Sequence, residues 1–154
     1  MSEKYLIFGA TGSIGSSLSR QLKESGKEVH LVARNESEVK KLSEELGCTF
    51  TVADVLKNGF VDKVKTEIPD VKGIAYCVGS IVLKPLRMIK EDEFNQCMKL
   101  NCYSALEVIR GYQDTLKKSK GSVVLFSTVA VRRGFSNHGI IASAKAAVEG
   151  LTVS

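Results

Sequence analysis

The stretch Tyr5-Leu6-Ile7-Phe8-Gly9-Ala10-Thr11-Gly12-Ser13-Ile14-Gly15 decides the fold. Its apolar run, stopped by glycine, reads as a buried strand. The helical spacing of Ile14, Leu18 and Leu22 then starts a helix, which Ser25-Gly26 ends. Between strand and helix the glycines recur as GxxGxxG. Glycine permits a tight turn, lets a ligand approach the backbone, and lets a helix begin close against a strand. The helix N-terminus favours negative charge, so Gly9, Thr11, Gly12, Ser13, Ile14 and Gly15 read as a cradle for the pyrophosphate of a dinucleotide. Neither Gly-Lys-Ser nor Gly-Lys-Thr follows, which excludes a P-loop NTPase.

Downstream, strand and helix alternate. Val29–Ala33 reads as a second strand, followed by a helix over Ser37–Leu46 with Ser37 as its cap and Gly47 as its stop. Thr49–Ala53 is the third strand, Val55–Ile68 a weaker helix broken by Pro69, and Gly73–Val78 the fourth strand. Glu91–Lys118 reads as one long helix with Gly111 as its bend point, Ser122–Phe126 as the fifth strand, and Ile140 onward as an alanine-rich helix. This alternation predicts an α/β fold of the doubly wound Rossmann type, with about five parallel strands in the order 3-2-1-4-5 and helices on both faces. The three layers form a single domain over residues 1–154.

Composition sets bounds on function. With 44% hydrophobic and 25% charged residues, the 154-residue chain falls in the globular class, not the disordered or membrane one. The net charge of +5 comes from scattered Lys and Arg, which argues against a nucleic-acid partner and suits an anionic small ligand. Cys48, Cys77, Cys97 and Cys102 lack metal-ligand spacing and read as small buried hydrophobes in a reducing compartment, so no metal is expected. Without a signal-peptide pattern or a membrane-spanning run, the expected location is the cytoplasm.

At the end of the second strand stands Val32-Ala33-Arg34-Asn35. An acidic residue there would bind the ribose of NAD, whereas the guanidinium of Arg34 can pair bidentately with a 2′-phosphate. NADP(H) is therefore favoured over NAD, the alternative being an exposed arginine at a helix entry.

With these residues in place the chain resembles the short-chain dehydrogenase/reductase family along its whole length. Asp54, in Ala53-Asp54-Val55, matches the family aspartate at the adenine ring; its other reading is a helix cap. Cys77-Val78-Gly79 stands where the family has Asn-Ala-Gly and keeps only Gly79. Asn101 matches the asparagine that holds a water near the catalytic lysine, and Lys145 matches the lysine of Tyr-x-x-x-Lys, which also touches the cofactor. The alternatives are a hydrogen-bonding residue at a helix bend for Asn101 and an exposed helical lysine for Lys145.

One departure outweighs these matches. Four residues before Lys145, where the family places its proton-transferring tyrosine, stands Ile141, and no tyrosine follows Tyr112. The substrate-orienting serine maps onto Thr128, with Ser127 adjacent, and either hydroxyl can polarise a carbonyl. The resemblance implies hydride transfer to or from a carbonyl or alcohol substrate, with the missing proton donor replaced by His138, by Lys145 itself, or by a water held by Asn101. The rival is a non-catalytic dinucleotide-binding sensor or scaffold. Family members continue beyond the length of this chain, so the C-terminal substrate-binding part is expected to be missing from it. The resemblance also implies a homodimer or homotetramer formed through the last two helices.

Overall fold

The computed structural model describes residues 4–154. Five parallel strands, β1 (Lys4–Phe8), β2 (Glu28–Ala33), β3 (Thr49–Val52), β4 (Gly73–Tyr76) and β5 (Ser122–Leu125), lie in the order β3-β2-β1-β4-β5. This is the expected doubly wound Rossmann-type sheet. The chain reverses its direction of winding between β1 and β4, and ligands of such sheets bind at the carboxyl ends of the strands beside that switch.

Strand β1 is buried on both faces, and its pleat sorts its side chains. Leu6 and Phe8 join a core with Val64 of α3 (Phe60–Glu67) and with Val108 and Tyr112 of α5 (Ser104–Ser119). Ile7 points to the other face, into a core with Leu18 of α1 (Ser13–Glu24) and Val39 and Leu42 of α2 (Glu36–Leu46). Period-two alternation between two helical layers makes β1 apolar throughout. A third, smaller core joins Cys97 of α4 (Glu91–Met98) to Ile140, Ile141 and Ala144 of α6 (Gly139–Val153).

Several local expectations need correction. The cap of α2 is Asn35, not Ser37: the Asn35 side chain accepts from the Glu38 N–H at 3.3 Å, and Ser37 Oγ donates to Asn35 Oδ1 at 2.9 Å. Helix α3 begins at Phe60, because Gly59 takes the left-handed φ of +77° and interrupts the chain after Val55. The long helix deviates not at Gly111 but through one π-turn, Lys99–Tyr103, between α4 and α5. Gly111 serves close packing: a Cβ there would lie 2.4 Å from Val61 Cγ1 of α3. Ile14 is half exposed (52%) at the start of α1 and contributes nothing to the core.

His30 was not singled out by its spacing, yet it is buried in the middle of β2. Its ring nitrogens meet Thr49 Oγ1 at 2.8 Å and Thr51 Oγ1 at 2.9 Å on β3. Burial, aided by the charge of Lys4, pushes its pKa down to about 4. The neutral ring thus works as a polar rung between two strands.

Candidate active site

The glycine turn after β1 is fixed by its own backbone. Gly9 has φ +71°, and a Cβ on it would lie 2.9 Å from the carbonyl carbon of Cys77. At Gly15 a Cβ would lie 2.3 Å from Gly9 O, so α1 can start this close to the strand only with glycine there. Gly9 and Ala10 donate their N–H groups to Val32 O at 2.9 and 3.1 Å, tying the turn to β2. Helix α1 has no side-chain cap and no acidic residue in its first turn, whereas α2 has both. Its N-terminal N–H groups and positive dipole end are left to an anion, beside glycines without side chains to block it. These features fit a pyrophosphate.

Gly9, Thr11, Gly12, Arg34, Asp54, Val55 and Gly79 line one cleft of about 220 Å³ at the switch point. Ser13, Ile14 and Gly15 form the first turn of α1, directly after the lining residue Gly12. Arg34 is exposed, and among the described residues it forms no ion pair. Asp54, which lines the cleft, accepts from the Leu56 N–H through Oδ1 at 2.9 Å, a turn contact that leaves Oδ2 without a hydrogen bond of its own among the described residues.

A second group of polar atoms converges where the cleft passes Gly79. A Cβ on Gly79 would lie 3.1 Å from Asn101 Oδ1 and 3.7 Å from Lys145 Nζ, which places β4's loop, the π-turn and α6 around one point. Asn101 is 1% exposed. Its Nδ2 donates to Cys97 O at 3.0 Å and reaches Cys97 Sγ at 3.4 Å, while its Oδ1 has no partner. A buried amide oxygen without a donor costs stability and marks a place where a water or ligand is wanted.

The π-turn that carries Asn101 is held from both sides. The Tyr76 hydroxyl donates to Leu100 O at 2.8 Å, and Ser104 Oγ donates to Val55 O at 2.9 Å. Burial drives the Tyr76 hydroxyl well above its usual pKa, so it stays a neutral donor. Burial likewise lowers Lys145, and the nearby thiols of Cys97 and Cys102 oppose that shift. Cys97 was not identified as part of the site; its spacing four residues before Asn101 was the available signal.

The remaining sequence candidates lie between the end of β5 and the first turn of α6. Ser127 Oγ donates to Glu149 at 2.6 Å, one turn of α6 beyond Lys145. Thr128 Oγ1 accepts from the Ala130 N–H at 3.3 Å and caps the short 3₁₀ turn Val129–Val131; its own proton remains free to donate. His138 begins α6, its Nδ1 2.8 Å from Ser136 O and its ring 5.3 Å from that of Phe135. The carbonyl can only accept, so Nδ1 carries the proton and Nε2 is bare in the neutral ring. Ile141 is 3% exposed inside the third core.

A doubly wound parallel sheet with a glycine cradle at its switch point defines a dinucleotide-binding α/β protein. A family model described as enoyl-(acyl carrier protein) reductase matches residues 9–154. The chain belongs to the short-chain dehydrogenase/reductase family. It is 30% identical to an uncharacterized oxidoreductase of Saccharomyces cerevisiae, over 96% of this chain and 62% of that protein. To the enoyl-[acyl-carrier-protein] reductase [NADH] FabI of Rickettsia prowazekii it is 26% identical, over 96% of this chain and 61% of the relative. Among solved structures, an alcohol dehydrogenase from the archaeon Thermococcus sibiricus, complexed with 5-hydroxy-NADP, superposes with a TM-score of 0.90 at 25% identity, covering 98% of this chain and 68% of its own. The chain thus spans about three fifths of the length of the curated relatives it matches. No helix among the described residues is long and apolar enough to cross a membrane.

Proposed function

We propose that this chain is the nucleotide-binding and catalytic domain of an NADP(H)-dependent short-chain oxidoreductase acting on a carbonyl or alcohol substrate. The observation that carries this reading is the convergence of Asn101 Oδ1 and Lys145 Nζ on Gly79, at the end of the cleft that the glycine turn opens. When bound, the dinucleotide supplies or accepts the hydride. The Gly9 turn and the first turn of α1 hold its pyrophosphate, Arg34 pairs with a 2′-phosphate, and Asp54 and Val55 flank its adenine end.

The proton is handled without a tyrosine. Ile141 is sealed in apolar packing, whereas Lys145 Nζ reaches the same point beside Gly79 as the Asn101 oxygen. Burial lowers its pKa and makes its ammonium a stronger acid than a solvated lysine. Asn101 Oδ1 orients that ammonium through one water, Lys145 gives its proton to the substrate oxygen, and the Thr128 hydroxyl polarises that oxygen through a hydrogen bond. The oligomer is a homodimer or homotetramer in the cytoplasm, joined through α5 and α6 and the π-turn before α5, with Tyr103, Leu106 and Val153 among their exposed apolar residues.

The test is NADPH oxidation by the full-length protein against a panel of aldehydes and ketones. Lys145→Met is expected to lower turnover by about 10²-fold or more, the range of a general acid, while His138→Ala leaves it within about threefold. Loss of turnover in His138→Ala instead would move the proton to the histidine. NADPH binding with no turnover of any carbonyl would favour the non-catalytic sensor.

A further inference from the structure

The loops that leave β4 and β5 meet over the carboxyl end of the sheet, beside Gly79. The Lys84 N–H donates to Asn137 O at 3.0 Å, and a Cβ on Gly139 would touch Leu86 Cδ2 at 2.8 Å, so the two loops form one surface. This surface is unusually apolar for exposed residues: Ile81 is 70% exposed, Leu83 52%, Leu86 77%, Met88 55%, Val129 69% and Phe135 49%. Exposed apolar residues gathered on two loops that touch are what a binding surface presents.

Its charge is one-sided. Residues 79–90 hold Lys84, Arg87 and Lys90 and no acid, and residues 126–148 hold Arg132, Arg133 and Lys145 and no acid. Lys84 is neutralised by Glu93, and Arg132 by Glu149. Arg87 and Arg133 are exposed and form no ion pair among the described residues. Each loop thus pairs an apolar run with one free guanidinium, a group suited to a carboxylate or phosphate.

We infer that the substrate is an apolar chain ending in an anionic group, its chain lying on Ile81, Leu83, Leu86 and Phe135 and its anion held by Arg87 and Arg133. This rests on the reading of the site as an oxidoreductase and narrows its substrate class. A small polar carbonyl compound would leave the apolar surface uncovered. A neutral apolar one would leave both guanidinium groups without a partner.

Calorimetric titration of the full-length protein with laurate, dodecanol and butyrate separates these features, because it needs no turnover. Laurate is expected to bind about tenfold or more tighter than either of the others, since only it carries both chain and charge. The double variant Arg87→Glu/Arg133→Glu should lose about tenfold or more in laurate affinity, with melting temperature and NADPH affinity unchanged. Equal binding of laurate and dodecanol, or laurate binding unaltered in the variant, would overturn the inference. So would tighter binding to phosphatidylglycerol vesicles than to monomeric laurate, which would assign the surface to a lipid bilayer. Failure to bind NADPH while laurate binding behaves as expected would sink the cofactor reading and leave this one standing.

Discussion

The turn around Gly9 and the centre around Asn101 meet at the β4 loop beside one cleft and are built by different means. The first is made of backbone. Its glycines, at φ +71° or pressed to 2.3 Å of a carbonyl oxygen by an added Cβ, come from one contiguous stretch of chain. The second is made of side chains and backbone brought from the β4 loop, the π-turn and α6, held in register by Tyr76 and Ser104. A local motif depends on one short stretch of chain, whereas a centre assembled from distant segments depends on the packing that brings them together.

That contrast can be broken at either end. The largest effect belongs to the turn: Gly9→Ala places a Cβ against Cys77 and forces a left-handed φ on a residue with a side chain. Together these should cost about 2–4 kcal/mol of stability and reduce NADPH affinity by about 100-fold, read by thermal melting and nicotinamide fluorescence. An unaltered variant would mean that the turn can relax.

Acid should weaken the nucleotide half through His30. Its folded pKa lies below the unfolded value of 6.5, so the neutral ring is favoured on folding. The stability this provides is complete above about pH 6.5 and falls as pH drops toward 4, by up to about 3 kcal/mol. Urea unfolding at a series of pH values should show that decline, and His30→Gln should flatten it.

Arg34→Ala tests selectivity without touching the fold. Loss of a charge-assisted, bidentate contact should weaken NADPH by about 10- to 100-fold and leave NADH within about twofold. Smallest in its effect on function but most informative about the second centre is Ile141→Tyr. The ring must enter packing around Cys97 and Ala144, so a cost of about 1–3 kcal/mol is expected, with no gain in turnover. A rise in turnover would show that the tyrosine swings out of that core and reaches the substrate.

The order of strands and the position of the cleft were legible because buried parallel strands read as apolar runs and the glycine turn is local. Arg34, Asp54 and Gly79 followed from their places just after strands, and all three line the cleft. What the sequence concealed depends on packing across segments. Asn35 displaces Ser37 as the cap by one hydrogen bond, and a π-turn leaves no composition signal distinct from that of an ordinary helix. Ser127 and Thr128 are neighbours on an extended chain, so their side chains diverge, and spacing alone does not say which one faces Glu149. His30 is polar in an apolar strand, and only the register that sets it opposite Thr49, with Thr51 two residues further along β3, explains it.

The central claim is that the Gly9 turn and Arg34 bind a phosphorylated nicotinamide dinucleotide. Parallel fluorescence titrations of the purified protein with NADPH and NADH test it most directly. Saturable NADPH binding at least about tenfold tighter than NADH binding is the predicted result; equal affinities, tighter NADH binding, or no binding of either would contradict it.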